Sequence, residues 1–197
     1  KEHLYLEVLL QKKVDGLIVS PTGSKENLKL LKNTNVPLVL IDRNIDGIES
    51  DVVMSENVQG AYDGTKYLID RGHSRIGAIL GLEGVTSSQE RFKGYKKALN
   101  DTEIDPDPAL IRRGDFRFEG GRAACKELLA LNDPPTAIFT VNNRTTAGAL
   151  SAINSSDYCW PNDIELVGFD QLEFSNYLDV PIVTISQKPV EIRSEEH

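Results

Sequence analysis

The stretch Arg75–Leu99, RIGAILGLEGVTSSQERFKGYKKAL, decides how the chain folds. Its first part, Ile76-Gly77-Ala78-Ile79-Leu80, is a short apolar run and reads as a buried strand. Gly81 to Ser88 is rich in Gly and Ser and reads as a loop. Phe92, Tyr95 and Leu99 then recur at i, i+3 and i+7, one face of a helix. Ser87 or Ser88 is placed to cap that helix, because a hydroxyl can accept from a free N–H of the first turn. On this reading Arg91 stands in the first helical turn, just past the carboxyl end of a parallel strand. Ligands of open α/β sheets bind at that edge. A cation there also opposes the helix dipole. A ligand-facing guanidinium and a solvated surface charge stand level as readings of Arg91 from this stretch alone.

Outward from it the same alternation continues. Leu4, Val8 and Leu9 form a helical stripe, followed by the strand Leu17-Ile18-Val19. Ser24 caps a helix carrying Leu28 and Leu31, and Leu38–Ile41 is a strand closing on Asp42. Asp51–Met54 is a further strand or a crossing segment. Val58, Ala61, Tyr62, Thr65, Leu68 and Ile69 share one face of a long helix that Gly72 ends as a left-handed cap. Beyond the opening stretch, Leu110-Ile111 starts a strand running into Gly114-Asp115-Phe116. Ala124, Leu128 and Leu131 mark a helix. Ala137–Val141 is a strand ending in Asn142-Asn143, and Thr146, Ala149, Leu150 and Ile153 mark the helix after it. Leu166–Phe169 ends on Asp170, and Val183–Ile185 is the last strand. Strand–helix–strand alternation implies right-handed crossovers and parallel sheets, an α/β fold.

The 197 residues are 40% hydrophobic, enough for one large domain or two small ones. Net charge is −8, from 22 basic and 30 acidic residues. Such a chain is soluble and by itself a poor nucleic-acid binder, since phosphate calls for an excess of Lys and Arg. No apolar run approaches the roughly 20 residues that span a bilayer, and no signal peptide is visible. Cys125 and Cys159 form no CxxC or ligand cluster. Cys125, in an Ala-rich helical pattern, reads as a small core residue, and a reducing compartment fits. None of His3, His73 and His197 has a His or Cys at metal-ligand spacing, so no metal and no cofactor is expected. The triplets at Asn143 and Asn154 match the glycosylation pattern but lie in helical segments and read as chance.

Asp42, Asn142-Asn143 and Asp170 all stand where parallel strands stop. Arg91 follows another such strand and Phe116 lies in the loop after a fourth. Carboxylate, amide, guanidinium and aromatic face together suit a hydroxyl-rich or heterocyclic small molecule. Asp and Asn at strand ends also cap the following helix. That alternative serves for any one of them and explains the whole set less well than a shared ligand does.

Five segments carry a family likeness: RGHSRIGAILG (71–81), SSQERFKGYKKAL (87–99), GDFRFEGGRAA (114–124), PTAIFTVNNRTTAGAL (135–150) and PNDIELVGFDQLEFSNYLDVPIVTISQ (161–187). In this order they resemble the effector-binding core of bacterial LacI/GalR-type transcription regulators, which are similar in fold to periplasmic sugar-binding proteins. The resemblance implies two Rossmann-like lobes with parallel sheets, of the periplasmic-binding-protein-like type, and an effector held in the cleft between them. It divides the chain into a partial N-terminal lobe (1–55), a C-terminal lobe (56–188) and a return segment or tag remnant (189–197). It implies that Arg91 grips effector hydroxyls or carbonyls, that Asn142 and Asp170 hydrogen-bond the ligand, and that Phe116 stacks on it. Ser87 and Asp42 carry over more weakly.

Asn143 stands where the family usually has Asp, and Gln171 replaces a common second Asp. Each swap removes a negative charge near the site. Against the family pattern the chain also lacks a DNA-reading headpiece, the first strands of the N-terminal lobe and the last elements of the core. The expectation is a fragment with an incomplete N-terminal lobe, exposing a sheet edge and an apolar face. Three functions compete. The favoured one is the sensing part of a cytoplasmic, homodimeric DNA-binding regulator that takes a sugar-like effector, with a purine next. The second is a sugar-binding protein of a transport system. The third is an α/β enzyme, which the absence of a GxSxG elbow, phosphate loop, GxGxxG and metal set disfavours; no catalytic residue is assigned.

Overall fold

A computed structural model of the protein describes residues 2–21, 24–42, 45, 47–48, 50–177 and 179–187, with the backbone alone at Leu28 and Tyr177. The expected return segment 189–197, with His197, lies outside these residues, as does the Leu28 side chain of the second helical stripe. Among the described residues the chain divides into two compact units, one of residues 2–55 with 85–87 and one of 56–84 with 88–187.

The first unit holds α1 (Glu2–Gln11), β1 (Leu17–Val19), α2 (Lys25–Lys32), β2 (Leu38–Ile41) and β3 (Asp51–Val53). The strands form a parallel sheet in the order β1-β2-β3. The hydroxyl of Ser24 accepts from the Asn27 N–H at 3.3 Å and caps α2 as expected. Leu17, Val19, Leu38 and Leu40 turn one sheet face onto Leu6 and Leu31. Between the buried Leu17 and Val19, Ile18 is 72% exposed on the opposite face. The helical stripe of α1 differs from expectation. Leu6 is buried, while Leu4, Tyr5, Val8 and Leu9 are exposed. This helix is apolar on more than one side, so spacing alone does not single out the Leu6–Leu10 edge that packs on the sheet.

The second unit contains α3 (Asn57–Asp70), β4 (Ile76–Leu80), all but the first two residues of α4 (Thr86–Asn100), β5 (Ile111–Arg113), α5 (Phe118–Leu129), β6 (Ala137–Thr140), α6 (Asn143–Asn154), β7 (Glu165–Phe169) and β8 (Val183–Ile185). Its five strands are all parallel, in the order β5-β4-β6-β7-β8. Both faces are covered, and alternate residues go to opposite cores. Ile76, Ala78, Leu80, Phe139, Val167 and Phe169 pack with Tyr95 and Leu99 of α4 and Leu68 of α3. Ile79, Ile138 and Leu166 pack with Leu128 of α5 and Ile153 of α6. Such strands read as unbroken apolar runs because neither face meets water. Cys125 lies in the second of these cores, and burial pushes its thiol up to about 12. Tyr95 is fully buried, donates to the Ile76 carbonyl at 2.7 Å and is held neutral by desolvation well above the usual phenol range.

The strand order carries a functional consequence. From β4 the chain moves outward to β5, then crosses back to place β6 on the other side of β4. The crossovers reverse between β4 and β6, and crevices that hold ligands open at the carboxyl ends of strands at such a switch point.

The amino ends of β6 and β7 carry a separate polar cluster. Gly72, at φ 95°, donates to the Ile69 carbonyl, and His73 N–H donates to that of Leu68, ending α3 in a Schellman turn. The turn brings Arg71 Nε and His73 Nε2 to the Glu165 carboxylate at 2.8 and 2.9 Å. Burial raises the Glu165 carboxyl, but hydrogen bonds from Arg71 and His73 outweigh it and hold the group below the usual carboxylate range. A carboxylate depressed in the folded state stabilises above its unfolded pKa, and that stability is lost as pH falls through the folded value. Glu165→Gln is therefore expected to lower Tm by roughly 2–5 °C at pH 7, solvent screening of the half-exposed Arg71 being allowed for. Scanning calorimetry from pH 7 to pH 3 should show this deficit shrinking below the carboxylate range.

Candidate functional site

Helix α4 begins at Thr86, so Ser87 and Ser88 lie inside its first turn rather than capping it, and Arg91 falls in the second turn. The Ser88 hydroxyl instead accepts from the Gly81 N–H at 3.0 Å and pins the loop that leaves β4. Arg91 is 5% exposed, which removes the solvated surface reading. Its Nε donates to Asn57 Oδ1 at 2.8 Å, and Nη1 donates to the Val141 carbonyl just past β6. The guanidinium carbon lies 3.8 Å from the centroid of the Phe169 ring. Nη1 stands 3.8 Å from Asp170 Oδ2. A guanidinium out of water is retained only when such partners satisfy it.

Gly94 explains how α3 reaches this side chain. A Cβ there would overlap the Val58 carbonyl oxygen and crowd Ala61. Without it the first turn of α3 lies close against α4, and Asn57 arrives beside Arg91. The same amide donates from Nδ2 to Glu90 Oε2 at 2.9 Å.

Asp170 follows β7 directly. Its N–H donates to the Ile185 carbonyl at 2.8 Å, its φ is 69°, and its carboxylate accepts from Gln187 Nε2 at 2.5 Å. Asn142 follows β6 and caps α6, its Oδ1 accepting from the Thr145 N–H at 3.0 Å and from the Thr145 hydroxyl. Its Nδ2 donates to the Phe116 carbonyl at 3.1 Å. The capping role weighed as the alternative for these residues is thus present at Asn142, together with a tie to the loop after β5. Phe116 sits at φ 62° beside Asp115 at φ 52°. Its ring lies over Gly81, where any Cβ would strike it. Residues with a Cβ in the left-handed region cost of order 1–3 kcal/mol each, and such strain collects at binding sites.

Four of the six residues expected from sequence therefore gather on one rim of the five-stranded sheet: Arg91, Asp170, Asn142 and Phe116. Ser87 is 7% exposed and is counted with the first unit. Asp42 belongs to that unit too. There it ends β2 at φ 63°, its N–H donating to the Val53 carbonyl at 2.9 Å, the same backbone arrangement that Asp170 has in the second unit. Sequence reasoning missed Asn57, Glu90, Phe169 and Gln187. The small residue three positions after Arg91 is the one sequence signal that another backbone lies close by. Among the described residues no group of His, Cys, Asp and Glu is arranged to hold a metal ion, and no helix is long and apolar enough to cross a membrane.

Residues 65–195 match the model of the periplasmic binding protein-like domain. The chain belongs to that family. It is 34% identical over 189 residues to the HTH-type transcriptional repressor PurR of Aliivibrio salmonicida, covering 95% of this chain and 57% of that protein. It superposes on a putative ribose operon repressor from Burkholderia thailandensis with a TM-score of 0.84 at 34% identity, covering 94% of this chain and 69% of the other. The transcriptional regulator CelR in its cellobiose complex gives a TM-score of 0.84 at 28% identity, covering 93% of this chain and 57% of the other. The chain thus spans little more than half the length of the curated relatives it matches. Those relatives are named as repressors of transcription, and a solved neighbour from Chloroflexus aggregans is named as a regulatory protein of the LacI family.

Two glycine substitutions separate backbone closeness from ring contact. At Gly94 a Cβ meets a carbonyl oxygen that can move only with its helix, whereas at Gly81 it meets the end of the Phe116 ring. Gly94→Ala is expected to cost about 3 kcal/mol or more in urea denaturation, against about 1–2 kcal/mol for Gly81→Ala. Lys93→Ala, at an exposed position of the same helix, should stay within about 0.5 kcal/mol of wild type.

Proposed function

We propose that this chain is the effector-sensing part of a LacI-type DNA-binding transcription regulator, and that Arg91 and Asp170 grip a sugar or sugar derivative at the carboxyl rim of the five-stranded sheet. The observation that carries this is a buried guanidinium facing a partly exposed carboxylate at the rim of a sheet whose strand order reverses between β4 and β6. Arg91 donates in a fork to ligand oxygens, and Asp170 accepts from ligand hydroxyls. The Phe116 ring offers an apolar face for stacking on the ligand. Asn142 fixes the Phe116 loop and turns its remaining amide hydrogen to the ligand.

Relatives that repress transcription support regulator over transporter, and neighbours named for ribose and cellobiose support a sugar as ligand. In the whole protein the ligand acts by differential affinity for two conformations, shifting the balance between states that bind operator DNA differently. With a net charge of −8 this chain is not the DNA-reading part. Operator contact belongs to a separate basic headpiece, and the regulator works as a cytoplasmic homodimer.

The test is a thermal-shift screen of the protein against ribose, cellobiose, other pentoses and hexoses, and the purine bases. At least one sugar should raise Tm. Arg91→Ala and Asp170→Asn should each weaken that ligand about tenfold or more, since a hydrogen bond to a charged group contributes about 1.5–3 kcal/mol. An unchanged shift in Arg91→Ala removes Arg91 from the site. A shift with purines alone replaces the sugar reading, and no shift with any compound overturns the proposal as stated.

A further inference from the structure

We infer that Asn57 is a positioning residue for Arg91 and that Glu90 sets its orientation, so that the two form a clamp deciding where the guanidinium points. This deepens the site proposed above, and it rests on that reading only for its consequence in ligand binding. The geometry stands by itself.

An Asn side chain can be turned either way, because its oxygen and nitrogen are nearly isosteric. Here both neighbours dictate one choice. Arg91 Nε–H is a donor 2.8 Å from one end of the amide, and the Glu90 carboxylate is an acceptor 2.9 Å from the other. Turning the amide over would set donor against donor and oxygen against carboxylate. Glu90 and Arg91 are consecutive on α4, so one helix holds both ends of one side chain. Asn57 is 2% exposed and Arg91 5%, so water does not compete for either group.

The consequence is directional. With Nε engaged by Asn57 and Nη1 by the Val141 carbonyl, the guanidinium plane is fixed at two of its three nitrogens. Its Nη edge is then aimed toward Asp170 at the rim. A guanidinium held this way loses little rotational freedom when a ligand arrives, which is how preorganisation raises affinity. Gly94 is part of the device, since a Cβ at that position would displace the turn of α3 that carries Asn57.

The test needs no ligand, so its outcome is separate from that of the function proposed above. Nitrogen-15 spectra of the whole chain resolve arginine Nε–H signals and their exchange with water. In wild type the Arg91 Hε signal should lie apart from those of exposed arginines and exchange slowly. In Asn57→Ala it should join the exposed set and exchange about tenfold faster or more, as the loss of one buried hydrogen bond to a charged group predicts. Asn57→Asp combined with Glu90→Gln, which keeps an acceptor for Nε and a donor against it at position 90, should retain slow exchange. The Arg71 Nε–H, bonded to Glu165 at the far end of the sheet, serves as the internal control for folding and should not change in any variant. If Asn57→Ala does not fold, Glu90→Ala decides the matter, because it leaves Asn57 in place and removes only what orients it. Its Arg91 Hε should exchange measurably faster than wild type. An Arg91 signal that is unchanged in Asn57→Ala, or in Glu90→Ala where that variant decides, overturns the inference.

Discussion

Removing the Arg91 guanidinium from water costs several kcal/mol, and the surrounding structure is arranged to offset that cost. The offsetting groups come from three directions. The start of α3 supplies the Asn57 oxygen, the end of β6 supplies the Val141 carbonyl, and the end of β7 supplies the Phe169 ring and the Asp170 carboxylate. Each stands at or beside the end of a helix or strand. The charge therefore ties the start of α3 to the carboxyl ends of β6 and β7, and the rim of the sheet takes its shape from that tie. A buried cation is a weak source of net stability, but it strongly penalises arrangements that leave it without partners, so it specifies one geometry.

The topology and the strained backbone serve the same rim. The reversal between β4 and β6 sends the chain leaving them to opposite faces of the sheet, with α4 following one strand and α6 the other. Asp115, Phe116 and Asp170 all hold positive φ at strand ends of this unit, and Asp42 does so in the other. For a ring-bearing residue such as Phe116 this conformation is a real outlier. It persists because the Asn142 amide holds the Phe116 carbonyl and Gly81 leaves space for the ring. Asn142 thus links the cap of α6 to the loop after β5.

Much of the architecture was legible in the chain. The apolar runs at Ile76–Leu80 and Ala137–Val141 announced strands covered on both faces, and Gly72 and Ser24 marked helix ends through chemistry that is local in sequence. Local patterns failed where tertiary packing chose between equivalent options. Helix α1 has apolar residues around much of its circumference, and only the neighbouring sheet selects Leu6. The start of α4 slid past Ser87 because Ser88 found a better use for its hydroxyl on Gly81. At the rim, strand-end positions of Asp and Asn were readable because parallel topology fixes where such residues stand. Asn57 was not, since it lies 34 positions from Arg91 and only the fold brings them together. The spacing Arg91-x-x-Gly94 held the clue, a place where a second backbone must come close.

Arg91 and Asp170 form one electrostatic unit at the sheet rim rather than two neighbouring residues. A double-mutant cycle measures this directly, with Arg91→Met to keep volume, Asp170→Asn to keep shape, and urea denaturation of the wild type, both single variants and the double variant. The two losses should not be additive, with a coupling of about 1 kcal/mol or more. Additive losses, within about 0.3 kcal/mol, would mean that the two residues act separately.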